Sequence, residues 1–178
     1  VRTEQAYAYG KLGRGDEARD SFAEAMRLLP HDAQLYRYRG ELSNARGKYA
    51  DAADDFTRAI ALDPADAQNY LRRGAARAAG AGGAADWHAA IDDYTAALER
   101  APESGRSFQA GAYNRRGNAR FALKEYAEAV DDYTRSIGRN PKDPVVYRNR
   151  AGAYQELGNA AAAEADEKAA QELEGMKP

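Results

Sequence analysis

A chain of 178 residues has room for one ordinary domain or one short repeat array. A net charge of −2 with 30% charged residues argues against a binder that works by neutralising nucleic-acid phosphates, and the lack of cysteine excludes disulfides and thiolate metal sites. No apolar run approaches the length of a membrane span, and Val1 already falls inside a helical pattern, so an upstream segment is expected to have been removed. The composition assigns no compartment.

Taken in order, the chain repeats itself. "YRYRG" at Tyr36 returns as "YLRRG" at Tyr70, "YNRRG" at Tyr113 and "YRNRA" at Tyr147, and the first two and last two tyrosines are 34 residues apart. The same phase carries Ala18, Ala52, Ala90, Ala129 and Ala163, then Phe22, Phe56, Tyr94 and Tyr133, and each segment closes on a proline: Pro30, Pro64, Pro102, Pro141. In "DAQLYRYRGELSNARGKYADAADDFTRAIALDP" the apolar and small residues fall at helical spacing in two runs. Gly47 supplies the left-handed turn between the runs, and Pro64 follows the second because proline cannot continue a helix. Each unit therefore reads as a helix hairpin that cannot bury its apolar face alone, and stacked hairpins make an α-solenoid. Two intervals exceed the period: "AAGAGGAAD" adds four residues and "ESGRSFQAG" adds five. Both inserts are expected to be loops, with no helix across Gly80 to Gly83, since glycine costs roughly 1 kcal/mol per residue inside a helix.

The small–aromatic–Ala–aromatic–Ala–Pro pattern on this period resembles the tetratricopeptide repeat. The resemblance covers essentially the whole chain and implies an all-α, right-handed α-solenoid of five helix hairpins, about ten helices. It forms a single array over 1–178 with units near 1–32, 33–66, 67–104, 110–143 and 144–177. Gly15 stands in the first unit where an aromatic is common. In the last unit Ala160 and Glu167 replace both aromatics of the second helix, which reads as a polar terminal cap.

The arginines of the recurring strings fall into two sets. Arg39, Arg73, Arg116 and Arg150 occupy a place that is usually apolar in tetratricopeptide repeats, and each is followed at matching register by Asp55, Asp93, Asp132 or Asp166. The first unit has Gln5 and Ser21 at those two places, so both charges are missing together. Joint loss points to a structural Arg–Asp pair tying the two helices of each hairpin, since a bidentate pair fixes geometry. Arg37, Arg72, Arg115 and Arg148 lie one or two places earlier, rotated about 100–200° away from the hairpin interface. The resemblance places them on the inner groove, with Tyr38, Asn114, Asn118 and Asn149 beside them. Arginines and amides suit carboxylates and peptide backbone, although the same recurrence also suits a solvated charged face. Asn118 and Asn149 match asparagine places of the clamp by which some co-chaperones of the family hold a chaperone tail, but Asn114 stands where that clamp has lysine.

No reaction chemistry is legible. His31 and His88 have no nucleophile or metal-ligand partner at useful spacing, and "GAGG" lacks the Lys-Ser/Thr of a phosphate loop. The paired aspartates recur in tandem, whereas catalysis needs one local constellation. The expectation is a non-catalytic protein-interaction module without cofactor or metal, binding an extended acidic peptide in a basic groove. The alternative is a structural scaffold that associates with itself or forms part of a larger repeat protein.

Overall fold

The computed structural model describes residues 2–102 and 105–175. Ten helices follow one another: α1 (Arg2–Lys11), α2 (Gly15–Leu28), α3 (Ala33–Ala45), α4 (Tyr49–Leu62), α5 (Ala67–Ala79), α6 (Ala84–Arg100), α7 (Arg106–Ala122), α8 (Tyr126–Arg139), α9 (Pro144–Glu156) and α10 (Ala160–Gly175). No strand occurs among the described residues, and the fold is all-α. Two compact units form, residues 1–82 and 83–178. In the first, α1–α2 and α3–α4 are hairpins and α5 packs on α4; in the second, α6 packs on α7, and α7–α8 and α9–α10 are hairpins.

Local chemistry sets the helix ends. Asp32, Asp66 and Asp143 cap α3, α5 and α9, their carboxylates accepting from the backbone N–H of Gln34, Gln68 and Val145 at 2.9, 2.9 and 3.0 Å. Gly13, Gly47 and Gly158 take the left-handed conformation in the turns inside the hairpins, with φ of 76°, 74° and 73°, and Lys124 does so at 64°. The segment-closing prolines are held through their carbonyls. Tyr36, Tyr70 and Tyr147 donate their hydroxyls to the carbonyls of Pro30, Pro64 and Pro141 at 3.1, 3.3 and 3.3 Å.

The two inserts behave differently from one another. Residues 80–83 are non-helical, as three glycines among four residues dictate. The rest is largely helix: Ala84 to Asp86 open α6, and Arg106 to Ala110 open α7. "RSFQA" contains neither glycine nor proline, so nothing stops α7 from starting early; Glu103 and Ser104 lie outside the described residues. The extension moves Tyr113 away from its usual place relative to Pro102, and Gln109 Nε2 donates to that carbonyl instead, at 3.1 Å.

The cores are small residues against aromatic rings. Ala52 and Ala59 are buried with Phe56 in the first unit, and Ala97 with Tyr94, and Ala129 with Tyr133, in the second. Burying a ring of this size contributes about 1.5–3 kcal/mol. Among the glycines that face an aromatic ring the approach is closest at Gly117, where an added methyl would stand 2.7 Å from Tyr133 Cε1. The corresponding residue of the last hairpin is Ala151, and the aromatic there is replaced by Glu167.

Gly117→Ala is expected to destabilise the protein by about 1–3 kcal/mol through overpacking. Gly111→Ala, in the same helix with nothing within 4 Å of an added methyl, is expected to stabilise it by roughly 1 kcal/mol through helix propensity. Urea unfolding of the two variants reads the difference in sign.

Candidate functional site

The first arginine set forms interhelical hubs. Arg39 donates from Nε to Asp55 Oδ2 at 2.8 Å and from Nη2 to Asp55 Oδ1. Arg116 donates in the same way to Asp132 at 2.9 and 2.7 Å, and Arg150 to Asp166 at 2.7 Å through both nitrogens. Arg73 belongs to the first unit and Asp93 to the second. Each arginine also caps a tyrosine ring three residues earlier, 5.6 to 5.8 Å from its centroid: Tyr36, Tyr70, Tyr113 and Tyr147.

The sequence reading missed the third arm of the hub. Nη1 reaches back to the preceding hairpin's second helix: Arg73 to Thr57 Oγ1 at 3.1 Å, Arg116 to Thr95 at 2.9 Å and Arg150 to Thr134 at 2.9 Å. Thr57 and Thr95 pass their own protons to the carbonyls of Ala53 and Ile91, which leaves the hydroxyl oxygens free to accept. The signal was present as a threonine directly after the aromatic, in "FT", "YT" and "YT". Hydrogen bonds to Asp55 and Asp166 raise the Arg39 and Arg150 pKa values, against the opposing effect of burial.

In the first unit the groove arginines are engaged by acids of the protein itself. Arg37 donates to Asp66, the cap of α5, at 3.1 Å. Arg72 pairs with Glu41 at 3.1 Å, and Glu41 also accepts from the Tyr7 hydroxyl at 2.8 Å. Tyr38 stacks on Tyr7 with centroids 4.4 Å apart. Burial first, and then Glu41, raises the Tyr7 pKa. Arg37 and Arg72, expected on the inner groove, thus each carry an ion pair that links successive first helices. The spacing argument weighed each helix alone and passed over Asp66, Glu41 and Tyr7.

The second unit differs. Asn149 Nδ2 donates to Asn114 Oδ1 at 3.0 Å and Asn118 Oδ1 at 3.2 Å, and Asn118 Oδ1 also accepts from the Tyr133 hydroxyl at 2.9 Å. Asn118, Phe121, Tyr133, Arg148, Asn149 and Gly152 line a cavity of about 360 Å³. The bonding leaves the amide groups of Asn114 and Asn118 and the carbonyl of Asn149 without partners among the described residues. Arg148 pairs with Glu174 at the end of α10. Arg115 is exposed, and its charge opposes the burial that pushes the Tyr94 hydroxyl up to about 12. Burial, followed by Asp132, raises Tyr133 further. Among the described residues no three His, Cys, Asp or Glu side chains converge as a metal site would require, and no helix is long and apolar enough to cross a membrane.

Stacked hairpins with small-residue interfaces and open first-helix faces define a helical-repeat interaction protein. Tetratricopeptide repeat models match residues 3–67 and 110–143, together more than half of the chain, and the chain belongs to that family. Hsp70-Hsp90 organizing protein 2 of Arabidopsis thaliana is 51% identical over 43 residues, 24% of this chain and 8% of that protein. Tetratricopeptide repeat protein 4 of Homo sapiens is 40% identical over 79 residues, 42% of this chain and 19% of that protein. The chain thus matches only a small part of each relative. A crystal structure of MamA shares the fold, with a TM-score of 0.84 at 22% identity, covering 94% of this chain and 93% of that one. The fold and family are those of protein–protein interaction modules.

Arg116→Ala removes the bidentate partner of the fully buried Asp132 and leaves it Arg120 alone, at 2.9 Å, so the expected cost in chemical denaturation is about 3 kcal/mol, the low end for a broken buried pair. Arg39→Ala, at a side chain 32% exposed, is expected to cost less, about 1–3 kcal/mol. Tyr94 binds its proton more tightly when folded than its ordinary value of 10.0. The stability it contributes is therefore complete below pH 10 and lost as pH rises to about 12. Phenolate absorbance should show Tyr94 among the last tyrosines to ionise, and later still in Arg115→Ala.

Proposed function

We propose that the chain is a non-catalytic module that holds an extended peptide segment of a protein partner on the first-helix face of its second unit. The observation that carries this reading is the asparagine cluster. Two amide groups offer hydrogen-bond donors and one carbonyl offers an acceptor, the complement of a peptide backbone with its carbonyls and N–H groups. Phe121, half-buried at the cavity wall, supplies apolar surface for a side chain beside that backbone.

The preference for acidic peptides rests on Arg115 and Arg148. Arg115 is exposed, and Arg148 can exchange Glu174 for an acid of the ligand, because their pair is about 40% open to water. Arg37 and Arg72 contribute less, since Asp66 and Glu41 already compensate them. Asn118 Nδ2 and Asn114 Nδ2 are assigned to peptide carbonyls, and Asn149 Oδ1 to a peptide N–H.

A displayed library of extended peptides is expected to enrich acidic sequences, with binding that weakens as salt screens the arginines over about 8–10 Å. Asn149→Ala and Arg115→Glu should each weaken the selected peptides by roughly tenfold, with unchanged helical circular dichroism. Unaltered affinity in both variants removes the groove. A mass that grows with concentration, without peptide binding, places the protein with the self-associating scaffolds instead.

A further inference from the structure

Three hubs end on a threonine hydroxyl, and the fourth does not. Sixteen residues before Arg39, where Thr57 precedes Arg73 and Thr134 precedes Arg150, the chain has Ala23. Arg39 Nη1 is left with the Met26 sulfur, at 2.8 Å, as its acceptor. A thioether is a weak acceptor for a guanidinium. The gap coincides with a cleft of about 500 Å³ between α2, the end of α3 and the start of α4, within the size range of small-molecule sites.

The lining of the cleft is divided by chemistry. Phe22, Ala23, Met26 and Leu42 form an apolar wall, and Arg39, Arg46 and Lys48 bring cations to the other side. Asp16 is the only carboxylate in the lining, and Arg19 engages it at 3.0 Å. No carboxylate among the described residues pairs with Arg46 or Lys48. Arg46 reaches across the cleft, its Nη2 lying 3.8 Å from where a methyl on Gly15 would stand.

We propose that this cleft binds a small amphipathic carboxylate. The anionic head takes the position of the missing threonine oxygen on Arg39 Nη1, beside Arg46 and Lys48, and the hydrocarbon body lies along Phe22, Met26 and Leu42. An anion is a better acceptor for a guanidinium than the hydroxyl it replaces, because the bond is charge-assisted. None of these residues belongs to the asparagine cluster, so the site stands or falls independently of the peptide reading.

Decanoate, kept below its micelle concentration, is the probe, titrated calorimetrically into the whole chain. Saturable one-to-one binding is expected, with decanol and acetate each at least about tenfold weaker, since each lacks one half of the recognition. Ala23→Thr restores the hydroxyl acceptor and is expected to weaken decanoate at least about fivefold while leaving the helical fold intact. The exposed pair Arg46→Ala, Lys48→Ala provides a second variant and should weaken it similarly. Equal binding of decanol, undiminished binding in both variants, or no saturable binding to the unaltered protein overturns the proposal. So does an acetylated leucine–glutamate peptide that binds where decanoate does not.

Discussion

A guanidinium placed where these repeats ordinarily carry an apolar side chain has to satisfy its donors inside the fold or lose several kcal/mol to desolvation. Here Nε and Nη2 grip one aspartate across the hairpin, Nη1 reaches the threonine of the preceding hairpin, and the flat face lies over a tyrosine. One side chain thereby sets the spacing of three helices. Its main effect is on register: a bidentate fork accepts one relative position of its two helices, whereas Ala and Gly surfaces slide against one another at little cost. The hub at Arg116 is the most buried, and Arg120 adds a second cation to Asp132 at 2.9 Å.

Much of this was readable without coordinates, for identifiable reasons. The alternation of small and aromatic residues repeats because helices can approach closely only where a ring faces glycine or alanine. The arginine–aspartate spacing was legible because the first unit lacks both partners at once. The threonine arm escaped notice because it joins neighbouring repeats, and a scan within one repeat aligns Thr57 with Phe56 rather than with Arg73. The same limit concealed the charge balance of the first unit, where Tyr7, Glu41 and Arg72 come from three successive first helices.

The two units consequently present different chemistry on equivalent faces. In the first, acids from neighbouring helices close the arginines, and a stacked pair of tyrosines covers part of the surface. In the second, the asparagines of successive first helices bond to one another, and amide groups remain available. Net charge taken over a whole repeat array therefore says little about any one stretch of its surface. What matters is whether each cation already has an acid one repeat away.

The two inserts lengthen helices in a telling quantity. α6 and α7 each have 17 residues, where α4 and α8 have 14 and α3, α5 and α9 have 13. The increments of three and four straddle the period of an α-helix, about 3.6 residues. Adding close to one whole turn at the leading end advances a helix along its axis without rotating the faces that follow, so Arg116 and Gly117 still meet Asp132 and Tyr133. The proline carbonyl needs only a polar side chain within reach, and Gln109, one turn before Tyr113, is the side chain that the extra turn brings there. The repeat therefore behaves like a threaded part: it tolerates changes of length in units of its own pitch, and a fractional turn would set the hub arginine against the wrong neighbour.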